Sequence, residues 1–571
     1  MQPILAAALA ALALSAALSP PAARAGESPR FAITQFTVQT TGIPNGPPFV
    51  ESPEPFTQAG GHPTALTLRI EFATETVAGS PAPVHDPHDV FIELPPGLFV
   101  NPQAMQACPR EQTGICPADT QVGVYELRIP GGTLQAPIVN LVPLAGEPAA
   151  LGFETPDGVL PLSGRLVSTP GGYALAVEAA SLPMLGVSFI EVTLWGNPVD
   201  GAHDPQRGIY CLRQTGQSES CGTAGETSGA VERPFLTFPS NCSQPLTATV
   251  WADSWQELGS YARAQASLPA LDGCDRLRFS PTLALQPESS EPEAPTGTQL
   301  ALTMPQPESV VGLAAPPLRA MTVNFPAGMA IDPAVGDGVR ACPASGPEGI
   351  DLPAGAGGER LSPLEVGEGE EAGPGGEPGL AAGNCPSAST LGTAEAHSPL
   401  LSGALSGRVY LAAPACGGAG ERRCGEQDAA DGKLYRVYVE LGGRGERDPR
   451  GLVVKLLGEL LVAPATGQLT LRLPESPQLP LDELSIDLSG GARALLANPA
   501  ACGQASTTAQ FEPWGAPLAL DASSRSFYEV NGCTSPQPFA PTLVAGSDLI
   551  QAGGSTPFRI RVERGEGEQQ L

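Results

Sequence analysis

Lysine is almost missing from this chain: of its 30 basic residues only Lys433 and Lys455 are lysines, the other 28 being arginines. That scarcity leaves little for the lysine-derived isopeptide staples used by some surface adhesins. Basic residues of both kinds are outnumbered by 59 acidic ones, giving a formal net charge of −29. Such a surface repels phosphate backbones and anionic lipid, which excludes nucleic acid as a partner. Aromatic residues amount to 5%, so any core is built mainly from Val, Leu, Ile and Ala. Past the N-terminal segment no apolar run is long enough to span a bilayer, and no transmembrane segment is expected. No cysteine precedes Cys108, which excludes lipid attachment at a processed N-terminal cysteine. A Gly-x-Ser-x-Gly elbow, a His-Glu-x-x-His helix and a phosphate loop are all missing. No cofactor is implied, and the chain reads as non-catalytic.

What is present is a repeat. Cys108 and Cys116, each followed by proline, precede Cys211 and Cys221, then Cys242 and Cys274. The same order returns with Cys342 and Cys385, again each before proline, then Cys416 and Cys424, then Cys502 and Cys533. An even set repeated as a hexad behind an export signal reads as a disulfide framework of three bridges per module. Equivalent positions suggest neighbour pairing: 108 with 116, 211 with 221, 242 with 274, and likewise in the second half.

The flanking text repeats too. Leu94-Pro95-Pro96-Gly97-Leu98 with Asn101-Pro102 is echoed by Phe325-Pro326-Ala327-Gly328-Met329 with Asp332-Pro333, and the stretch from Cys242 to Trp255 by that from Cys502 to Trp514. Self-similarity over about 250 residues means tandem domains, each large enough to hold its own core. The expected organisation is a secretory signal peptide over 1–25, module one over 26–281 and module two over 282–542. The leader rests on the Ala/Leu run from Leu5 to Leu18 and the Ala23-Arg24-Ala25 pattern. Residues 543–571 read either as the start of a third repeat or as a closing strand of module two.

Short alternating or β-branched runs bounded by Gly, Pro, Asn or Asp recur throughout, as in Ala65 to Phe72, Val187 to Leu194 and Gln468 to Leu473. The fold class is therefore all-β: tandem antiparallel, Ig-like β-sandwiches stapled by disulfides. Residues 343–384, rich in Gly, Glu and Pro, replace a seven-residue spacer of module one and read as a disordered insertion.

Taken together, Leu94-Pro95-Pro96-Gly97-Leu98, Asn101-Pro102, Cys116-Pro117-Ala118-Asp119-Thr120-Gln121-Val122-Gly123, Leu194-Trp195-Gly196 and Ser240-Asn241-Cys242 give a chain that resembles a family of secreted Cys-Pro/LPPG repeat proteins of high-GC Gram-positive bacteria. The resemblance covers nearly the whole mature chain and implies secretion and repetition. It brings no activity and no catalytic residue with it.

Three clusters carry candidate chemistry. His85-Asp86-Pro87-His88-Asp89 offers imidazole and carboxylate ligands for a divalent metal, but reads as a polar turn before the strand at Val90. Asp428 with Asp431-Gly432 lacks the alternation of a calcium loop, and no metal site is assigned. Trp251, Asp253 and Trp255 would share one face of a strand, as a sugar platform requires. Glu512 and Trp514 repeat that spacing, which favours rings acting as core anchors over rings acting as ligands. The function expected is that of a surface, matrix or adhesion component, extracellular or held at the cell surface, whose partners are envelope or extracellular polysaccharide or protein. The alternative is a secreted carbohydrate-binding protein or carbohydrate-active enzyme with Asp253 as acid or base.

Overall fold

The computed structural model describes residues 30–42, 52–77, 80–111, 115–144, 147–155, 158–169, 172–214, 220–221, 231–243, 245–307, 309–336, 338–352, 383–417, 423–442, 452–491, 494–515, 521–533, 541–547 and 557–565. The proposed leader and residues 353–382 of the insertion lie outside this set. The regular secondary structure among the described residues is almost wholly antiparallel strand.

With strands of two to four residues beside them, eleven strands of more than four residues frame the first half. They are β1 (Ile33–Gly42), β2 (Ala65–Phe72), β3 (Pro87–Glu93), β4 (Gln121–Ile129), β5 (Gly132–Leu141), β6 (Ala150–Thr155), β7 (Gly158–Thr169), β8 (Gly172–Ala179), β9 (Phe189–Trp195), β10 (Thr247–Ser254) and β11 (Glu257–Ser267). Eleven more build the second: β12 (Thr282–Pro287), β13 (Thr298–Thr303), β14 (Leu318–Asn324), β15 (Thr390–His397), β16 (Leu405–Leu411), β17 (Tyr435–Gly442), β18 (Val453–Val462), β19 (Leu469–Leu473), β20 (Glu483–Leu488), β21 (Gly503–Pro513) and β22 (Ala522–Val530). Alternation decides what each strand buries. On β13, Leu300 and Leu302 point inward while Gln299 and Thr303 are exposed, the period of two that a half-buried strand requires.

The two sheets have one topology. The first runs β11-β10-β3-β8-β7-β6-β5-β4-β9-β2-β1, and the second β22-β21-β14-β19-β18-β17-β16-β15-β20-β13-β12. Adding eleven to each label of the first gives the second. In both halves the outermost strands meet, β1 against β11 and β12 against β22, so each sheet wraps round its own core as a closed sandwich. In module two the Leu283 and Leu285 backbone N–H groups donate to Ser524 Oγ and Ser526 Oγ, both at 3.1 Å. Each half holds one large apolar cluster, dominated by Val, Leu, Ile and Ala.

The repeated proline–glycine text folds alike as well. Leu98 N–H donates to Pro95 O and Met329 N–H to Pro326 O, each at 3.1 Å, closing turns with Gly97 at φ 80° and Gly328 at φ 82°. Proline or alanine followed by a positive-φ glycine is what a type II turn demands. The apolar residue after each glycine is then delivered into the core, where Leu98 and Met329 are buried.

Six bridges join Cys108–Cys116, Cys211–Cys221, Cys242–Cys274, Cys342–Cys385, Cys416–Cys424 and Cys502–Cys533. The Cys-Pro segments lie over the outer face of each sheet. There Cys108 and Cys116 pack with Val139, Leu141 and Ala150, and Cys342 with Tyr410, Tyr438 and Leu457. The described flanks of the insertion, 343–352 and 383–384, belong to this cover: Ile350 is buried in it and Asn384 N–H donates to Gly349 O at 2.9 Å. Loop composition alone hides such packing, because one isoleucine among glycines is enough to seat the segment.

The halves touch directly. Ala314 N–H donates to Gly60 O at 2.7 Å and Ser240 Oγ–H to Trp514 O at 2.9 Å. At Gly515, φ 86°, an added Cβ would stand 2.1 Å from Asn241 Cα, so this approach requires glycine. Past module two, β23 (Thr542–Ser547) and β24 (Phe558–Glu563) form a separate two-stranded hairpin. It repeats the pairing of β1 with β2 and of β12 with β13, and it exposes Leu543, Val544, Phe558 and Ile560.

Candidate functional site

The His85–Asp89 segment and the Trp251–Trp255 segment, far apart in the chain, meet at one corner of module one. Strand β10 buries Ala248, Val250 and Ala252 completely, so Trp251 faces away from the core, between Phe91 and Arg263 on the neighbouring strands. The Arg263 guanidinium stands 5.5 Å from the ring centre of Trp251, a cation–π contact. The register slips between Ala252 and Ser254, and the strand ends at Ser254. Trp255 therefore sits in the turn, 36% exposed, with its ring edge-to-face against His88, centres 4.4 Å apart. The three residues do not form one flat platform, and neither ring belongs to the core.

Asp253 is 2% exposed, and its carboxylate is engaged from three sides. Asp89 N–H donates to Oδ1 at 2.9 Å, Gly259 N–H donates to Oδ2 at 2.6 Å, and His88 Nδ1 lies 3.3 Å from Oδ1. Asp89 in turn accepts from Ser181 N–H at 2.7 Å, and Asp86 from Gly186 N–H at 2.6 Å. His88, Asp89 and Asp253 are the three described residues whose ligand atoms are close enough to hold a divalent cation. The same oxygens, however, accept from backbone donors, and that locks the β10–β11 turn to the start of β3 and to the loop that follows β8. The corner holds the backbone.

Trp255 and Trp514 perform one task. Trp255 Nε1–H donates to Leu182 O at 2.8 Å and Trp514 Nε1–H to Ser476 O at 2.7 Å. Each acceptor stands three residues beyond an equivalent strand, β8 or β19. The rings tether that loop in both modules. Asp428 accepts from Gly425 N–H at 2.9 Å at the start of the short helix Glu426–Ala430, so this stretch is a capped helical turn.

Two buried glutamates under the Cys-Pro covers were not singled out by the sequence reading. In module one the Glu154 carboxylate accepts from Cys116 N–H at 3.3 Å, and burial raises its pKa. In module two the fully buried Glu440 accepts from Gly383 N–H at 2.8 Å and stands opposite Lys455 in the strand register. Lys455 Nζ donates to Asp351 O at 2.9 Å. The available signal was an acid at the same place in two apolar strands, and a lysine inside Val453-Val454-Lys455-Leu456-Leu457.

One histidine reports on acid stability. His203 stacks on Trp195 with ring centres 4.3 Å apart and planes 6° from parallel, and Arg207 lies over the same indole. Burial lowers the His203 pKa to about 4; Asp200 and Asp204 oppose this and Arg207 adds to it. The folded state thus refuses a proton that the unfolded chain takes near pH 6.5. Stability present above pH 6.5 is lost as pH falls towards 4, on the order of 2 kcal/mol after allowing for partial exposure. Urea unfolding at pH 7.5 and 4.5 should show this loss reduced in His203→Phe; an equal loss in both proteins would assign the acid sensitivity elsewhere.

No family model and no curated protein matches the chain. Among solved structures it is similar to the C-terminal domain of the Streptococcus agalactiae AgI/II polypeptide BspA, at 8% identity over 86% of this chain and 100% of that one, TM-score 0.17. It is also similar to the B domain of a biofilm-associated protein, at 6% identity over 86% and 85%, TM-score 0.14. The type II cohesin dyad from the adaptor ScaA scaffoldin of Acetivibrio cellulolyticus matches at 8% identity over 84% and 97%, TM-score 0.15. Likenesses this slight carry no functional argument.

Proposed function

We propose that this protein is exported by its first 25 residues, belongs with the secreted Cys-Pro/LPPG repeat proteins it resembles, and serves outside the membrane as a non-catalytic surface, matrix or adhesion component. The observation that carries the reading is the use to which the fold puts its polar side chains. Asp253, Glu154, Glu440, Trp255 and Trp514 all bond to backbone groups and fasten loops in place. Duplicated sandwiches with three disulfides each suit a durable scaffold in an oxidising compartment, and the exposed apolar hairpin β23–β24 is a surface suited to contacts.

Purified, disulfide-intact protein is expected to co-sediment with isolated cell-envelope material and to release no reducing sugar from it. Sugar release above the buffer control would overturn the non-catalytic reading. Failure to sediment with envelope, matrix polysaccharide or intact cells would overturn the surface role.

A further inference from the structure

Three adjoining cavities lie between the two cores and within the first. The largest encloses about 1100 Å³, including its open mouth, and is walled by module-two core residues such as Leu405, Leu441 and Leu456 on one side and by Phe99 and Leu175 of module one on the other. Its lining is apolar apart from Ser398 and Ser476. At Val100, Ala149 and Leu175 it adjoins a second, wholly apolar cavity that runs into the core of module one. At Phe99, Leu400 and Pro480 it adjoins a third, lined by the polar residues His62, Asn101, Arg233, Thr237, Ser240 and Gln306. A long apolar space that ends in one polar chamber is the shape of a site for a molecule with a tail and a head.

The chamber also specifies the head. His62 Nδ1 lies 3.0 Å from Leu236 O, and since a carbonyl only accepts, Nδ1 carries the proton. Nε2 is then an acceptor; it is buried and has no hydrogen-bond partner among the described residues. Burial lowers the His62 pKa and keeps the ring neutral. A buried acceptor of this kind calls for a donor from outside. A carboxylate head has no proton to give to that nitrogen, whereas a hydroxyl does.

We propose that the inter-module cleft binds a single-chain amphiphile, its linear acyl tail in the apolar cavity and an uncharged, hydroxyl-bearing head hydrogen-bonded to His62. A linear tail suits two apolar spaces that adjoin, sharing Val100, Ala149 and Leu175 in their walls. Dry apolar walls of this kind gain from displacing what little water they hold.

The test uses the full, disulfide-intact chain and 1-monododecanoylglycerol below its micelle threshold, titrated calorimetrically, with sodium dodecanoate as the same tail on an anionic head. We expect saturable one-to-one binding of the glyceride, at least tenfold tighter than the carboxylate. Leu400→Trp, on a half-buried turn where the apolar and polar cavities meet, should weaken it at least tenfold with the circular dichroism spectrum and Tm unchanged. His62→Phe should shrink the preference between the two heads. A diazirine-tailed glyceride gives a readout independent of folding in the variants: crosslinks should fall on 396–405 or 473–481. Non-saturable uptake, unchanged affinity in Leu400→Trp, tighter binding of the carboxylate, or crosslinks confined to β23–β24 would each overturn the assignment.

Discussion

Replacing Lys455 by methionine is expected to destabilise module two by about 3–5 kcal/mol, the cost of stranding a buried partner charge. Lys455 is 2% exposed and Glu440 opposite it fully buried. Burial pushes the ammonium below its usual pKa, while Glu440 and Asp351 act in the other direction and favour its charge. The pair also grips both ends of the insertion, Lys455 through Asp351 O and Glu440 through Gly383 N–H. In module one, where the equivalent loop is short, Glu154 faces Val159 and no lysine is present. Lys455→Met/Glu440→Leu is expected to recover part of the loss, with the remainder reflecting the Gly383 N–H left without its acceptor. Equilibrium urea unfolding of the full chain measures both; a loss under about 1 kcal/mol in the single variant would show that the pair carries no such weight.

The second large effect separates the two equivalent tryptophans. Trp514 is 7% exposed and its carbonyl accepts across the module boundary from Ser240, so Trp514→Ala is expected to cost about 3–5 kcal/mol, as large-to-small changes in buried sites do. Trp255→Ala removes the same loop tether from a ring already 36% exposed. A smaller loss, about 1–2 kcal/mol, follows from the smaller area taken from water. Thermal and urea denaturation of the two variants decide this, and equal losses would show that the tether rather than ring burial sets the cost.

Much of this architecture was legible because it is written in residues whose local demands are strict. The glycines of Pro-Pro-Gly and Pro-Ala-Gly require positive φ, paired cysteines require proximity, and alternating Leu and Val fix strand faces. The candidate site was less legible because it depends on long-range register. Nothing in the text near Trp251 states that the strand slips at Ala252 and stops at Ser254, which moves Trp255 into a turn. Nor does Asp253 announce that the N–H of Asp89, 164 positions away, will claim it. The covered glutamates escaped notice for the same reason: an acid in an apolar strand looks exposed until the loop above it is known.

Twenty-two strands in two interchangeable orders present a kinetic hazard, since β13 has the same place in its sheet as β2 and either offers an edge to the other's partners. Tandem modules of like topology are prone to exchange elements while they fold. Every bridge here joins cysteines between 8 and 43 positions apart, all within one half. Such short spans close early and cheaply, so the first half, made first, can be covalently committed to itself before the strands able to compete with its own have emerged.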